Sequence, residues 1–322
     1  MPPTPQASPE EHALSGAPAP DAAPPPHGTP RDDCPWCGSR WLRTRLRRRG
    51  PVPSRVDACR ECGHAFRNPA PAAATPDADR RRPGPEPAER LPGAPGGRGR
   101  ALAAARVMLR HAEPESWLDV GTGYGHFPAV AKEVHPYTAF DGLDATRRVE
   151  RARAAGRIEE AHLGALTDPG VAARLRGRYD VVSMIHHLER TADPRAELRA
   201  ALTALRPGGH LIVEAPDPDC AYGTLLGRWW VTYRRPRHLH LLPLDNLVCE
   251  LDSLGCEVVD EDRAAPHVPY DLTGAVTLAF GRSLPAVPLL AAALAADHAL
   301  APLVRGTCFS NAYRIVARGP DR

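Results

Sequence analysis

Residues 117–127 read Trp117-Leu118-Asp119-Val120-Gly121-Thr122-Gly123-Tyr124-Gly125-His126-Phe127. Ser116–Val120 is a short apolar run that passes directly into three glycines at alternating positions. Such glycines admit positive φ and let the backbone close on a ligand. A strand, a glycine turn and a following helix put that turn at the carboxyl end of a strand, where open α/β sheets bind ligands. A dinucleotide fingerprint, G-x-G-x-x-G, needs glycine at position 126, and His126 stands there.

Outward from this loop the chain alternates strand and helix signals. Apolar runs at 137–143, 179–185 and 210–215 predict strands, and Ala312–Ala317 predicts a last one. Asp193 is placed to cap a helix, Pro194 sits in its first turn, and Gly208-Gly209 is expected to end it. A second helix is predicted over Pro243–Leu254, apolar at 244, 247, 248, 251 and 254, with Gly255 as its stop. The alternation predicts an α/β fold, a mostly parallel sheet with helices on both faces.

Asp119-x-Gly121-x-Gly123-x-Gly125 resembles motif I of the class I S-adenosylmethionine-dependent methyltransferases, which have a Rossmann-like sheet. The resemblance implies that Gly121, Gly123 and Gly125 cradle the methionine part of S-adenosylmethionine and that Asp119 lies beside its amino group. Phe140-Asp141-Gly142-Leu143-Asp144 ends 19 residues past Gly125. By family position Asp144 is the expected acceptor for the ribose hydroxyls, with Asp141 the alternative. Tyr179-Asp180-Val181-Val182, His186-His187-Leu188-Glu189 and Leu205-Arg206-Pro207-Gly208-Gly209 follow in the family's order, and the resemblance covers roughly residues 100–262. Two positions depart from it. Arg190 stands where the family often has the histidine of Leu-Glu-His, and Leu163-Gly164-Ala165-Leu166 offers no polar side chain for adenine.

No Asn-Pro-Pro-Tyr follows the fourth strand, which argues against an amide or nucleobase amine as acceptor. The acceptor side falls on Leu225–His240, where Trp229, Trp230 and Tyr233 offer an apolar wall and Arg234, Arg235 and Arg237 can meet an anion. A hydroxyl or acidic C–H acceptor needs a base, and histidine suits that near neutral pH. His238, which matches a histidine of the family's Arg-His-x stretch, is the first candidate, and His186 the second. The expected reaction is methyl transfer to a small-molecule or sugar-like acceptor at oxygen or carbon. One rival is an RNA methyltransferase; another is a non-catalytic zinc-ribbon interaction protein.

Cys34-Pro-Trp-Cys37 and Cys59-Arg-Glu-Cys62 are two C-x2-C knuckles separated by 21 residues. Four thiolates so presented are the ligand set of a closed, structural zinc site. Arginines at 43, 45, 47, 48 and 49 lie between the knuckles and are the feature an RNA acceptor would exploit. The expected organisation is a disordered tail over 1–30, a zinc ribbon over 31–70, a flexible linker over 71–98, and the methyltransferase domain over 99–322. That domain carries a helical insertion at about 264–310. Of 37 prolines, 21 fall in residues 1–100, which is what marks the tail and linker as non-globular. Residues 101–322 carry 25 basic and 27 acidic side chains, a balance that does not favour a polyanionic acceptor. The longest apolar stretch, Leu284–Ala296, is 13 residues with two prolines, and no secretory pattern opens the chain. The expectation is a cytoplasmic protein with no membrane span.

Overall fold

The computed structural model describes residues 28–48, 54–70, 97–111, 113–281 and 286–321. Most of the expected tail (1–27) and of the expected linker (71–96) therefore lies outside the described residues.

The cysteine module is an antiparallel meander of β1 (Leu42–Arg48), β2 (Ser54–Cys59) and β3 (Ala65–Asn68). Beyond it come α1 (Gly97–Arg106), β4 (Ser116–Val120), α2 (His126–Ala131), β5 (Ala139–Asp144) and α3 (Arg148–Ala154). The chain continues with β6 (Ala161–Leu163), α4 (Pro169–Leu175), β7 (Tyr179–Ile185), α5 (Pro194–Ala204) and β8 (Leu205–Pro216). Then follow α6 (Ala221–Leu225), α7 (Val231–Arg234), β9 (His240–Leu241), α8 (Leu244–Ser253), β10 (Glu257–Asp262), α9 (Asp271–Phe280), α10 (Val287–Val304) and β11 (Ala312–Arg318).

Seven strands form one sheet in the order β10-β11-β8-β7-β4-β5-β6. β11 runs antiparallel to both neighbours, and the other pairs are parallel. Neighbouring residues along a strand face opposite ways, so Leu118, Val182 and Leu211 feed one buried cluster while Trp117, Val181 and Ile212 feed the other. Helices cover both faces, and near-continuous apolar runs such as Val181–Met184 are what a parallel sheet buried on both sides requires. The chain reverses strand order beside β4, which places the glycine loop at the crevice between β4 and its neighbours.

Asp193 caps α5, its Oδ1 accepting from Ala196 N at 3.0 Å. That helix stops at Ala204 rather than at the glycines, because Pro207 keeps the residue before it out of helical geometry and Leu205 is already extended, paired with Tyr179. Gly208-Gly209 instead lies within β8, Gly208 at φ +70°.

The segment expected to be helical yields α9 and α10. α10 has 18 residues, mean hydropathy 1.7 and only 17% of its length buried, so by length and composition it reaches what crossing a membrane takes. It runs on past the 13-residue apolar stretch to Val304, taking in Asp297 and an internal Pro302, while Pro288 falls in its first turn, where no hydrogen bond is lost. Its one charged side chain, Asp297, turns inward to accept from Leu272 N and Thr273 N at the start of α9.

Candidate functional site

β4 carries Asp119 to the end of the sheet. Its Oδ1 accepts from Ser183 Oγ at 2.8 Å, and Ser183 Oγ accepts from Trp117 Nε1 at 3.0 Å, so the carboxylate is fixed by β7 next door. Gly121, Gly123 and Gly125 follow at φ +74°, +55° and +70°. Gly121 N and Thr122 N both donate to Leu143 O, fastening the loop to β5. Asp144, the last residue of β5, closes the loop from the far side. Its Oδ2 accepts from Gly123 N at 2.9 Å, and its Oδ1 accepts from Thr146 N and Oγ1 at 2.8 and 2.6 Å. A carboxylate has about four acceptor positions, so Asp144 retains capacity for a ligand hydroxyl.

Asp141 does not join this loop. It accepts from Tyr179 Oη at 2.8 Å and from Glu160 N at 3.0 Å, with an Arg178 nitrogen at 3.8 Å. Burial works to raise its pKa, but His162, Tyr179 and the Glu160 amide outweigh it and hold the carboxyl below its ordinary value. Asp141 ties β5 to β7, and Asp144 is the one of the two that bonds the glycine loop.

A Cβ on Gly121 would stand 2.3 Å from His187 Nδ1, and His187 is itself held by Glu197 Oε1 at 2.9 Å. Gly121→Ala therefore meets both a clash and a left-handed backbone, the latter alone costing about 1–2 kcal/mol. The expected outcome is a folded protein with a lower melting temperature and no calorimetric heat of S-adenosylhomocysteine binding.

Two cavities meet behind the loop. The larger, about 100 Å³, is bounded by the glycine loop, Asp119, Ile185, Glu214 and the Ala101 and Ala104 side of α1. The smaller, about 40 Å³, is bounded by Thr232, Arg235, His238, Tyr270, Asp271 and Asn311. His186 lines both. Among the described residues it is the one non-glycine at positive φ, +52°, a conformation that a surrounding structure must enforce.

Buried charges surround that histidine. Glu214, on β8, lies 3.4 Å from His186 Nε2 and accepts from Arg314 Nε and Nη2 of β11 at 3.0 and 2.7 Å. Burial alone would raise Glu214, yet Arg314 and His186 hold it down at about 2. On the other side Glu189 Oε1 has His186 Nδ1 at 3.8 Å, Arg190 Nε at 3.4 Å and His238 Nε2 at 3.9 Å. Both Glu189 oxygens and His238 Nδ1 are buried without a hydrogen-bond partner. Burial, with Arg235, Arg190 and His186 adding to it, keeps His238 well below its ordinary value of 6.5, so the ring is neutral at pH 7. Asp271 accepts from Trp230 Nε1 at 2.7 Å and is nonetheless pushed up to about 7 by burial.

The strands, the glycine loop and the cavity beside it lie within a single family match. The model of the methyltransferase domain covers residues 97–261, half of the chain. The chain belongs to the methyltransferase-domain family. The match agrees with the resemblance that the Asp119–Gly125 loop carries. The chain is 29% identical over 126 residues to the ubiquinone biosynthesis O-methyltransferase of Azotobacter vinelandii, covering 38% of this chain and 54% of that relative, about half its length. A chain from the complex between the Haloferax volcanii Trm112 methyltransferase activator and a putative methyltransferase has a TM-score of 0.50 at 16% identity. That alignment covers 73% of this chain and 95% of that one, and it shows the fold alone. The N-methyltransferase NodS of Bradyrhizobium japonicum, solved with S-adenosyl-L-homocysteine, aligns at TM-score 0.45 and 15% identity over 76% of this chain and 96% of its own.

Ahead of the methyltransferase domain, Cys34, Cys37, Cys59 and Cys62 gather with all four sulfurs within 4.8 Å of one another. Cys34 and Cys62 are 3.7 Å apart and Cys37 and Cys59 3.6 Å. A tetrahedral zinc with Zn–S of about 2.3 Å needs an S···S edge of about 3.8 Å. Trp36 N and Glu61 N each donate to a knuckle sulfur at 3.4 Å, the arrangement that supports thiolates. The donor set fits the ion.

Glu214, Glu189 and Asp271 were not singled out in the sequence. Glu214 carried a legible signal, a carboxylate inside an otherwise apolar strand run.

Proposed function

We propose that this methyltransferase methylates a hydroxyl oxygen of a small acceptor bearing an anionic group, with the acceptor held in the smaller cavity and S-adenosylmethionine in the larger. The observation that carries this reading is His186, the wall the two cavities share. Bound there, S-adenosylmethionine would supply an electrophilic methyl on a sulfonium. Asp119 would accept from its amino group, Gly121, Gly123 and Gly125 would cradle it, and Asp144 would accept from its ribose. Enclosure by buried side chains aligns the partners and keeps water away, which is most of what such a displacement needs.

A hydroxyl acceptor must lose a proton. His238 is neutral, buried and backed by Glu189, which would stabilise the imidazolium formed. Arg235 on the same cavity suits a carboxylate or phosphate. The A. vinelandii relative is named as an O-methyltransferase, which agrees with oxygen over carbon. Cys34, Cys37, Cys59 and Cys62 would hold a structural zinc ion.

The test is transfer of radiolabelled methyl from S-adenosylmethionine to a panel of phenols, hydroxy acids, sugars and structured RNA. Labelling of an anionic hydroxy compound is expected; labelling of RNA alone would overturn the reading. With an acceptor in hand, His238→Ala is expected to slow transfer about 100- to 10,000-fold. S-Adenosylhomocysteine affinity should stay within about threefold, because His238 does not line the larger cavity. Since His238 lies well below 6.5, kcat/KM should be level from pH 8 down through pH 6; an acid limb centred at 6.5 would exclude it as the base.

A further inference from the structure

The cysteine module was expected as a separate ribbon on a linker, yet its sheet is completed by the methyltransferase domain. The fourth strand of that sheet is β9, two residues that follow directly on the His238 segment, with Phe66 opposite His240 and Ala65 opposite Leu241. Just upstream, Arg67 N donates to Leu239 O at 2.9 Å and the Arg67 guanidinium donates to Pro236 O. Leu239 N in turn donates to Glu189 O at 2.8 Å, on the loop that leaves β7. The stretch from Arg235 to Leu241 is thus strung between the ribbon's β3 and the loop that carries His186 and Glu189.

The ribbon is anchored on its other side as well. Arg195 of α5 donates to Trp36 O at 2.8 Å and lays its guanidinium 4.3 Å from the Trp36 ring centre. Asn246 of α8 donates to Cys62 O at 2.9 Å. Cys34, Trp36, Cys59 and Phe66 are buried in the same cluster as Leu188 and Leu242 of the catalytic half. Cys34 and Cys59 are zinc ligands in that fit, so loss of the ion would loosen this interface and not only the knuckles. A module of about 40 residues has too small a core to hold its shape otherwise.

We infer that the zinc ribbon is the scaffold of the acceptor side: through β3 and Arg67 it positions the Arg235–His238 segment against His186. This rests on the smaller cavity being the acceptor site. It assigns the ribbon an internal, positioning role, distinct from contacting an RNA or a partner with its arginines.

The experiment is hydrogen exchange by mass spectrometry on the full-length, zinc-loaded chain, with S-adenosylhomocysteine titrated in parallel. Arg67→Ala leaves all four cysteines in place. It is expected to speed exchange across 235–241 at least tenfold while the glycine-loop peptides and the S-adenosylhomocysteine affinity stay within about threefold. Removing zinc with a chelator should give the same local loss, and larger. Arg195→Met, which frees the other anchor without touching β9, is a second route to it should Arg67→Ala fail to fold. Unchanged protection at 235–241 when chelation has already released residues 34–70 would overturn the inference. Failure of the zinc-loaded wild type to bind S-adenosylhomocysteine is a separate readout, and it would overturn the cofactor reading instead.

Discussion

Asp144→Ala should weaken S-adenosylhomocysteine binding about 10- to 100-fold. In the proposed site the carboxylate would accept from a ribose hydroxyl at its remaining position while it holds Gly123 N, and a hydrogen bond to a charged group contributes about 1.5–3 kcal/mol. The conversion is about 1.4 kcal/mol per tenfold. The same side chain also holds the loop, through Gly123 N at 2.9 Å, and the start of the next helix, through Thr146. Truncation therefore removes a ligand contact and loosens the glycine cradle together, and both act in one direction. Asp144→Asn separates the two effects, since its amide oxygen can still accept from Gly123 N but the charge is gone. Calorimetry should rank wild type above Asp144→Asn and Asp144→Asn above Asp144→Ala. Equal affinity for wild type and Asp144→Ala would remove Asp144 from the cofactor site.

Local signals made the cofactor side legible. Alternating glycines need no partner to announce a turn, and a capping Asp193 followed by Pro194 marks a helix start within two residues. Asp141 against Asp144 was open in the sequence, although residues three apart on a strand must face opposite ways. Only the neighbours decide which faces the loop: Tyr179 on β7 claims Asp141, and Gly123 claims Asp144. The stretch from Arg235 to Leu241 is less legible because its contacts are remote. β9 is two residues long, shorter than any periodicity can show, and it pairs with a strand more than 170 positions earlier, His240 with Phe66. The end of α5 departs from its sequence signal for a related reason: pairing of Leu205 with Tyr179 outweighs the helix signal that runs on to the glycines.

Arg314→Met should lower stability by about 3–5 kcal/mol, because it takes the guanidinium from the buried Glu214 and leaves that carboxylate only His186, at 3.4 Å. For a chain of this size that is a fall in melting temperature of roughly 6–20 °C. Arg314 and Glu214 are each at most 2% exposed and sit opposite one another on β11 and β8, so neither has water to turn to. The pH dependence identifies the cause. In the wild type Glu214 lies at about 2, below its ordinary 4.5, so the unfolded chain takes the proton first. Its stabilising contribution is then complete above pH 4.5 and is lost as the pH falls toward 2. Without Arg314 only His186 is left to oppose burial, the largest influence on this carboxyl, so Glu214 is expected to rise and the sign to reverse: the penalty is present at high pH and is relieved on protonation. The melting-temperature gap between wild type and Arg314→Met should therefore be wide at pH 8 and narrower at pH 5. A gap of the same size at both would mean that lost packing, not a buried carboxylate deprived of its guanidinium, causes the drop. Adding Glu214→Leu should recover much of the stability at pH 8, since an apolar pair replaces a buried ion pair at little cost. It should not recover methyl transfer, because the carboxylate 3.4 Å from His186 would be gone from the wall between the two cavities.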